Sequence, residues 1–251
     1  MNAWSLEGKT ARVTGATRGI GAAAAEELLR LGAEVLVVAR DPAGIEAFLA
    51  ARASPRLSGI AADVSTPEGR AAVLARARAR GRLDVLVNNA GTNVRKSTLE
   101  SSAADLARLV AVNLESALEL TRGAHPLLAA AGAAAVVNVG SVAGSRVVLT
   151  GPSYAVTKAG LEQLTRYLAV EWARDGVRVN AVLPWYTRTP LAEPVLQDPA
   201  RLARILARTP LGRVAEPEEV ARAIAFLALP AASYVTGACL PVDGGFLAMG
   251  L

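Results

Sequence analysis

The sequence predicts an α/β fold: a doubly wound arrangement of helices on both faces of one parallel seven-stranded sheet. Three observations carry this expectation. Short β-branched apolar runs alternate with Ala/Leu/Arg segments of helical period, the pattern of βαβ units. The first apolar run leads into a glycine turn that opens an alanine-rich helix. The 251 residues are 52% apolar and 20% charged, which suits one large core and excludes a disordered or low-complexity chain.

Taken in order, strands are expected near residues 10–14, 34–39, 57–62, 84–87, 134–140, 177–182 and 238–242. Helices are expected over 19–31, 42–51, 67–80, 104–130, 153–173 and 216–229, with turn residues between them. No stretch resembles an interdomain linker, so residues 1–251 are expected to form one domain. The segment 184–210 is rich in proline and carries Trp185 and Tyr186; it is expected to be an irregular lid or binding loop.

Composition narrows the chemistry. Cys239 is the single cysteine and His125 the single histidine, so an internal disulfide and a zinc site are both excluded. No apolar run reaches the roughly 18 residues of a membrane span, and the first residues lack a signal-peptide pattern, which predicts a cytoplasmic protein without membrane partners. The net charge of +5 favours anionic ligands. Arg76, Arg78, Arg80 and Arg82 could suggest nucleic acid. Alternate residues on a helix point to different sides, however, and no aromatic residue interleaves them, so a solvated face is the simpler reading.

The turn Thr14-Gly15-Ala16-Thr17-Arg18-Gly19-Ile20-Gly21 places backbone N–H groups at a helix start, where a pyrophosphate binds. Gly15 would make the sharp turn, Gly19 would allow close approach and Gly21 close helix packing. The second strand ends in Ala39-Arg40-Asp41. Arg18 and Arg40 offer two guanidinium groups to a 2′-phosphate, which favours NADP over NAD; alternatively Arg40 lies on a solvated rim and Asp41 only caps the next helix. Asp63 and Val64 would face an adenine, or Asp63 would close a turn. Asn88, Asn89, Ala90 and Gly91 end the fourth strand, where open α/β sheets bind ligands, and either bridge sheet and cofactor or form an Asx turn.

Ser141 ends the fifth strand, while Tyr154 and Lys158 stand four apart at a helix start and project from one face. A tyrosine needs about 3 to 4 kcal/mol of help to act near neutral pH, which an adjacent ammonium and a cationic nicotinamide could supply. Lysine occurs only at Lys9, Lys96 and Lys158 in this arginine-rich chain. Asn113 lies in the apolar helical run LVAVNLESAL, where a proton-delivering water would explain it.

These motifs, with the closing Val242-Asp243-Gly244-Gly245, resemble those of the short-chain dehydrogenase/reductase family over essentially the whole chain. The resemblance implies a Rossmann-type fold of strand order 3-2-1-4-5-6-7 and a tetrad of Asn113, Ser141, Tyr154 and Lys158. It implies that Tyr154 exchanges the hydroxyl proton, Ser141 orients the carbonyl and Lys158 lowers the tyrosine's pKa. Where the family usually has Pro-Gly, this chain has Pro184-Trp185; this and GTNVRKSTLE are similar to the tropinone-reductase-like branch. By the same alignment Pro184, Thr187 and Thr189 would approach the nicotinamide.

The expected activity is NADPH-dependent reduction of a bulky or cyclic ketone, faced by Ser141, Val142, Tyr154, Trp185, Tyr186 and Leu191, with Val195 and Leu196 as further apolar cover. Arg95 and Arg146 could instead greet an acidic substrate. A 3-oxoacyl thioester reductase, a non-catalytic NADP sensor and a basic nucleic-acid-binding protein are the alternatives. The apolar helix faces suggest a homo-oligomer, and the family resemblance a homotetramer.

Overall fold

The structure is a computed structural model and describes residues 2–249. Its strands are β1 (Thr10–Thr14), β2 (Glu34–Ala39), β3 (Leu57–Ala61), β4 (Val85–Asn88), β5 (Ala134–Val139), β6 (Val177–Pro184) and β7 (Cys239–Val242). They form one sheet in the order β3-β2-β1-β4-β5-β6-β7. Every neighbouring pair is parallel. The helices are α1 (Gly19–Arg30), α2 (Pro42–Ala50), α3 (Pro67–Arg80), α4 (Ala103–Val110), α5 (Ser116–Ala130), α6 (Val142–Ser145), α7 (Pro152–Glu171), α8 (Glu193–Leu196), α9 (Pro199–Ala207) and α10 (Pro217–Ala228).

Central strands buried on both faces explain why the apolar runs are continuous rather than alternating. Val13, Val87, Val137 and Val182 pack with α1 and α10, while Leu86, Val136 and Val179 pack with α5 and α7. Strand period places successive side chains on opposite faces, so one run of valine and leucine serves both layers. A line of amides crosses this sheet beneath the cleft. Asn88 Nδ2 donates to Thr121 Oγ1 at 2.8 Å and to Asn138 Oδ1 at 2.9 Å, and Asn138 Nδ2 donates to Thr165 Oγ1 at 2.9 Å.

Two expectations change. The helix expected over 104–130 is α4 and α5 joined by a π turn at Ala111–Glu115. The wider turn frees a carbonyl, and Ser116 Oγ donates to Val112 O at 2.6 Å. The segment 184–210 is not irregular: it contains α8 and α9. Asp198 caps α9 by accepting from the N–H groups of Ala200 and Arg201, and Pro199 fits its first turn. A helix of four residues is too short to display a period, and the prolines of this segment read as loop signals although Pro199 starts α9. Cys239 is half-buried on the edge strand β7. The arginine run at the end of α3 and just beyond it is partly neutralised, because Arg80 pairs with Glu34 and Arg82 pairs with Asp84.

Replacing Asn138 with Ala removes the shared partner of Asn88 and Thr165. The expected cost is about 1 to 3 kcal/mol, the usual cost of orphaning buried polar groups, read as a lower urea midpoint at unchanged slope.

Candidate active site

The carboxyl ends of the central strands open into a cleft of about 1030 Å³, above the usual ligand-pocket range and large enough for two molecules side by side. At one end lies the glycine turn. Gly15 (φ 65°) and Gly19 (φ 56°) occupy the left-handed region that favours glycine. A Cβ on Gly21 would lie 2.3 Å from both Asn89 Nδ2 and Gly15 O, so Gly21 lets α1 close on the turn itself. Asn89 braces that turn, donating through Nδ2 to Thr14 O at 2.8 Å and to Gly15 O at 3.0 Å. Thr14 Oγ1 accepts from the backbone N–H groups of Asn89 and Ala90, both at 3.0 Å. The Asn89 amide thus bridges β4 to the glycine turn, whereas the sequence suggested a bridge to the cofactor. Asn88 lies within the sheet.

Arg18 and Arg40 line the same end, both exposed. Asp41 Oδ1 accepts from Ala43 N at 3.1 Å and caps α2. Asp63 also lines the cleft, and it does close a turn: its Oδ1 accepts from Ser65 N at 2.9 Å and from Ser65 Oγ at 2.7 Å. Burial opposes the Asp63 charge, but the Ser65 bonds and nearby Arg40 outweigh it and hold the carboxyl below its ordinary value.

Ser141, Tyr154 and Lys158 meet at the other end. Ser141 Oγ accepts from Ala143 N at 3.2 Å and starts α6. The Ser141 hydroxyl and the charge of Arg95 both favour the Tyr154 phenolate. Burial is the stronger influence, however, and raises the phenol above its ordinary value. Lys158 Nζ is buried, donates to Val139 O at 2.7 Å and lies 5.7 Å from the Tyr154 ring centroid. Desolvation lowers it to about 8. The protein's own groups therefore favour the protonated phenol, while the lowering expected from the sequence draws on a cationic nicotinamide as well.

Asn113 is buried behind the cleft in the π turn. Its Oδ1 accepts from Thr92 N at 2.8 Å, and its Nδ2 donates to Thr92 O at 3.0 Å and Thr157 Oγ1 at 3.2 Å. Of the other sequence-predicted residues, Gly15, Thr17, Arg18, Gly19, Ile20, Arg40, Asp63, Val64, Asn89, Ala90, Gly91, Ser141, Val142, Tyr154, Lys158, Pro184, Trp185, Tyr186, Thr187, Thr189 and Leu191 line the cleft, whereas Gly21 and Asn88 do not. Nor do Val195 and Leu196. They are buried with Ile205 and Val214, because α8 turns them into the packing between lid helices.

The Pro184-Trp185 pair has a physical reason. Trp185 stacks on Phe246 at 3.8 Å between ring centroids, and its Nε1 donates to Thr209 Oγ1 at 3.0 Å. Asp243 holds that end of the chain by accepting from Gly245 N and Leu247 N.

Several lining residues were not singled out in the sequence, among them Asn93, Arg108, Val112 and Thr150. Glu162 lies outside the lining and was also missed. It is buried on α7, and both its oxygens accept from Ser145 Oγ at 3.0 Å, clasping α6 against the helix that carries Tyr154. A glutamate one turn after Lys158 was the available signal.

A nucleotide cradle joined to a Ser/Tyr/Lys centre defines a dinucleotide-dependent oxidoreductase. The family model described as enoyl-(acyl carrier protein) reductase matches residues 15–247. The chain is similar to a tropinone reductase homolog of Arabidopsis thaliana, at 47% identity over 98% of this chain and 95% of that one. It is similar also to a chloroplastic tropinone reductase homolog of the same plant, at 45% identity over 96% of this chain and 76% of the other. Among solved structures it is similar to a gluconate 5-dehydrogenase of Burkholderia cenocepacia in complex with NADP and tartrate, with a TM-score of 0.94, 29% identity and 99% of each chain covered. The chain belongs to the short-chain dehydrogenase/reductase family. Among the described residues no helix is long and apolar enough to cross a membrane, and no group of ligands could hold a metal ion.

With only three lysines in the chain, Lys158 can be followed directly. In a 13C-dimethyl-lysine NMR titration, one resonance is expected to move with a midpoint near 8, and that resonance should be missing in Lys158→Met.

Proposed function

We propose that the protein is an NADP-dependent oxidoreductase that reduces a bulky or cyclic ketone to a secondary alcohol. The observation that carries the proposal is the meeting of Ser141, Tyr154 and the buried Lys158 in the same cleft as Arg18 and Arg40. The left-handed Gly15 and Gly19, with no Cβ to fill the cradle, fit a pyrophosphate. NADPH would supply the hydride when bound.

The protein's part is to orient the carbonyl and to deliver a proton. Ser141 would hold the ketone oxygen. Tyr154 would donate its phenolic proton to that oxygen, and burial helps by keeping the proton in place at neutral pH. Lys158, protonated below about pH 8, would stabilise the phenolate left behind and reach the ribose side of the cleft. Asn113 enters the proposal as a positioning residue, because its amide ties the Thr92 loop to the π turn. Val142, Trp185, Tyr186 and Leu191 would face the substrate, under a lid formed by 184–210. Pro184, Thr187 and Thr189 would face the nicotinamide, with Thr189 also touching the glycine turn at Gly19. The preference for NADP rests on Arg18 and Arg40, neither of which has a carboxylate partner among the described ion pairs.

A homo-oligomer, a tetramer by family resemblance, belongs to the same proposal. Val156, Tyr167 and Val170 on α7 and Leu106 on α4 are exposed apolar side chains that a second copy would cover. The unpaired Cys239 suits a reducing compartment such as the cytoplasm.

Tyr154→Phe is expected to abolish NADPH oxidation across a panel of cyclic ketones and 3-oxoacyl thioesters while leaving NADPH binding within about twofold. Residual turnover would remove Tyr154 from the reaction, and preference for the thioesters would replace the ketone reading. Arg40→Ala should weaken NADPH at least about tenfold more than NADH, the loss of a charge-assisted pair; equal losses would end the 2′-phosphate assignment.

A further inference from the structure

The cleft carries charge that the proposed reaction does not use, on Arg95 and Arg108, and Arg95 is the one whose charge bears on Tyr154. Arg95 lies on the loop after Gly91 and lines the cleft with Ser141, Tyr154 and Tyr186. Its Nη2 donates to Leu191 O at 2.9 Å, which ties the loop to the start of the lid. That bond takes one N–H of the five a guanidinium offers, so the group is oriented and most of its donors remain. It is close enough to Tyr154 for its charge to bear on the phenol.

Arg95 has no carboxylate partner among the described ion pairs, whereas its neighbour Lys96 is neutralised by Asp105 at 2.7 Å. The acidic residues that line the cleft are Asp41 and Asp63, which sit on the Arg40 side at the ends of β2 and β3, engaged with Ala43 and Ser65. Among the described residues nothing acidic lines the substrate end. A cation fixed beside the catalytic tyrosine, with its fork free and no counter-charge from the protein, is a site for an anion supplied by the ligand. Arg146, the other arginine weighed for this role, does not line the cleft.

We infer that the substrate is a ketone bearing a carboxylate, which Arg95 holds while Ser141 and Tyr154 engage the carbonyl. The inference rests on the reductase reading above and names its substrate class. It also sets a selection rule: a ketone carrying a protonated amine meets repulsion at Arg95, so basic bicyclic aminoketones are disfavoured.

The test compares three probes of similar shape: 4-oxocyclohexanecarboxylate, its neutral carboxamide and protonated N-methyl-4-piperidone. Each is assayed by NADPH oxidation with the wild-type protein, Arg95→Ala and Arg95→Lys. The readout is the acid-to-amide ratio of kcat/KM, in which any effect of Arg95 on Tyr154 cancels because both probes need the same proton. A ratio of about tenfold or more in the wild type is expected, as one charge-assisted pair provides. It should arise mainly in KM, fall toward unity in Arg95→Ala and be largely kept in Arg95→Lys, with the piperidone poorest in the wild type. A wild-type ratio near unity, or a ratio unchanged in Arg95→Ala, overturns the inference. Turnover of the amide or the amine but not the acid contradicts the inference alone and leaves the reductase reading standing. Silence with every probe overturns both.

Discussion

A single lysine amine buried between a strand end and a helix sets the geometry on which the rest of the site depends. Lys158 gives one hydrogen bond to the Val139 carbonyl and, unlike Lys9 and Lys96, has no carboxylate partner among the described ion pairs. That anchors α7 to the end of β5, one strand residue before Gly140 and two before Ser141. Space is tight here: a Cβ on Gly144 would lie 2.8 Å from the Lys158 carbonyl carbon and 2.4 Å from Glu162 Oε1. Glycine at 144 and the Glu162–Ser145 clasp let α6 lie flat on α7, and this fixes the separation of Ser141 and Tyr154. Desolvation that lowers the lysine and raises the tyrosine has one origin, the same shielded pocket.

The other end of the cleft is built on the same economy of contacts. Thr14 and Asn89 spend their side chains on backbone groups of neighbouring strands and of the glycine turn, so the turn is held from below and its upper surface stays free for a ligand. The strand order places this turn, the ends of β4 and β5 and the Tyr154 helix around one crevice. The lid continues from β6 and returns through Trp185, whose stacking on Phe246 couples it to the closing segment of the chain.

Much of this was legible in the sequence, because the features concerned are local. Glycine at positive φ, apolar period and chemistry-bearing residues at strand ends all leave a mark within a few residues, and the seven strands and the Ser141, Tyr154 and Lys158 cluster follow from them. What was not legible depends on partners far along the chain. The π turn at Asn113 is invisible to a 3.6-residue period, and the Asn89 amide was assigned outward when its acceptors, Thr14 and Gly15, lie some 75 residues away. Val195 and Leu196 had the composition of a substrate wall, yet α8 faces them inward. Arg95 and Arg146 were equal candidates for an acidic substrate until the fold placed Arg95 on the cleft lining and Arg146 off it.

The central claim is that this cleft passes a hydride between a nicotinamide and a ketone carbon while the protein supplies the proton. The most direct measurement supplies the purified protein with NADPH deuterated at the transferable position of its nicotinamide C4, together with a cyclic ketone, and analyses the alcohol by mass spectrometry and proton NMR. One deuterium on the carbinol carbon, with none on the hydroxyl after exchange with water, is the predicted result. An alcohol carrying only protium at that carbon, with deuterium retained in the cofactor or lost to solvent, would contradict the account.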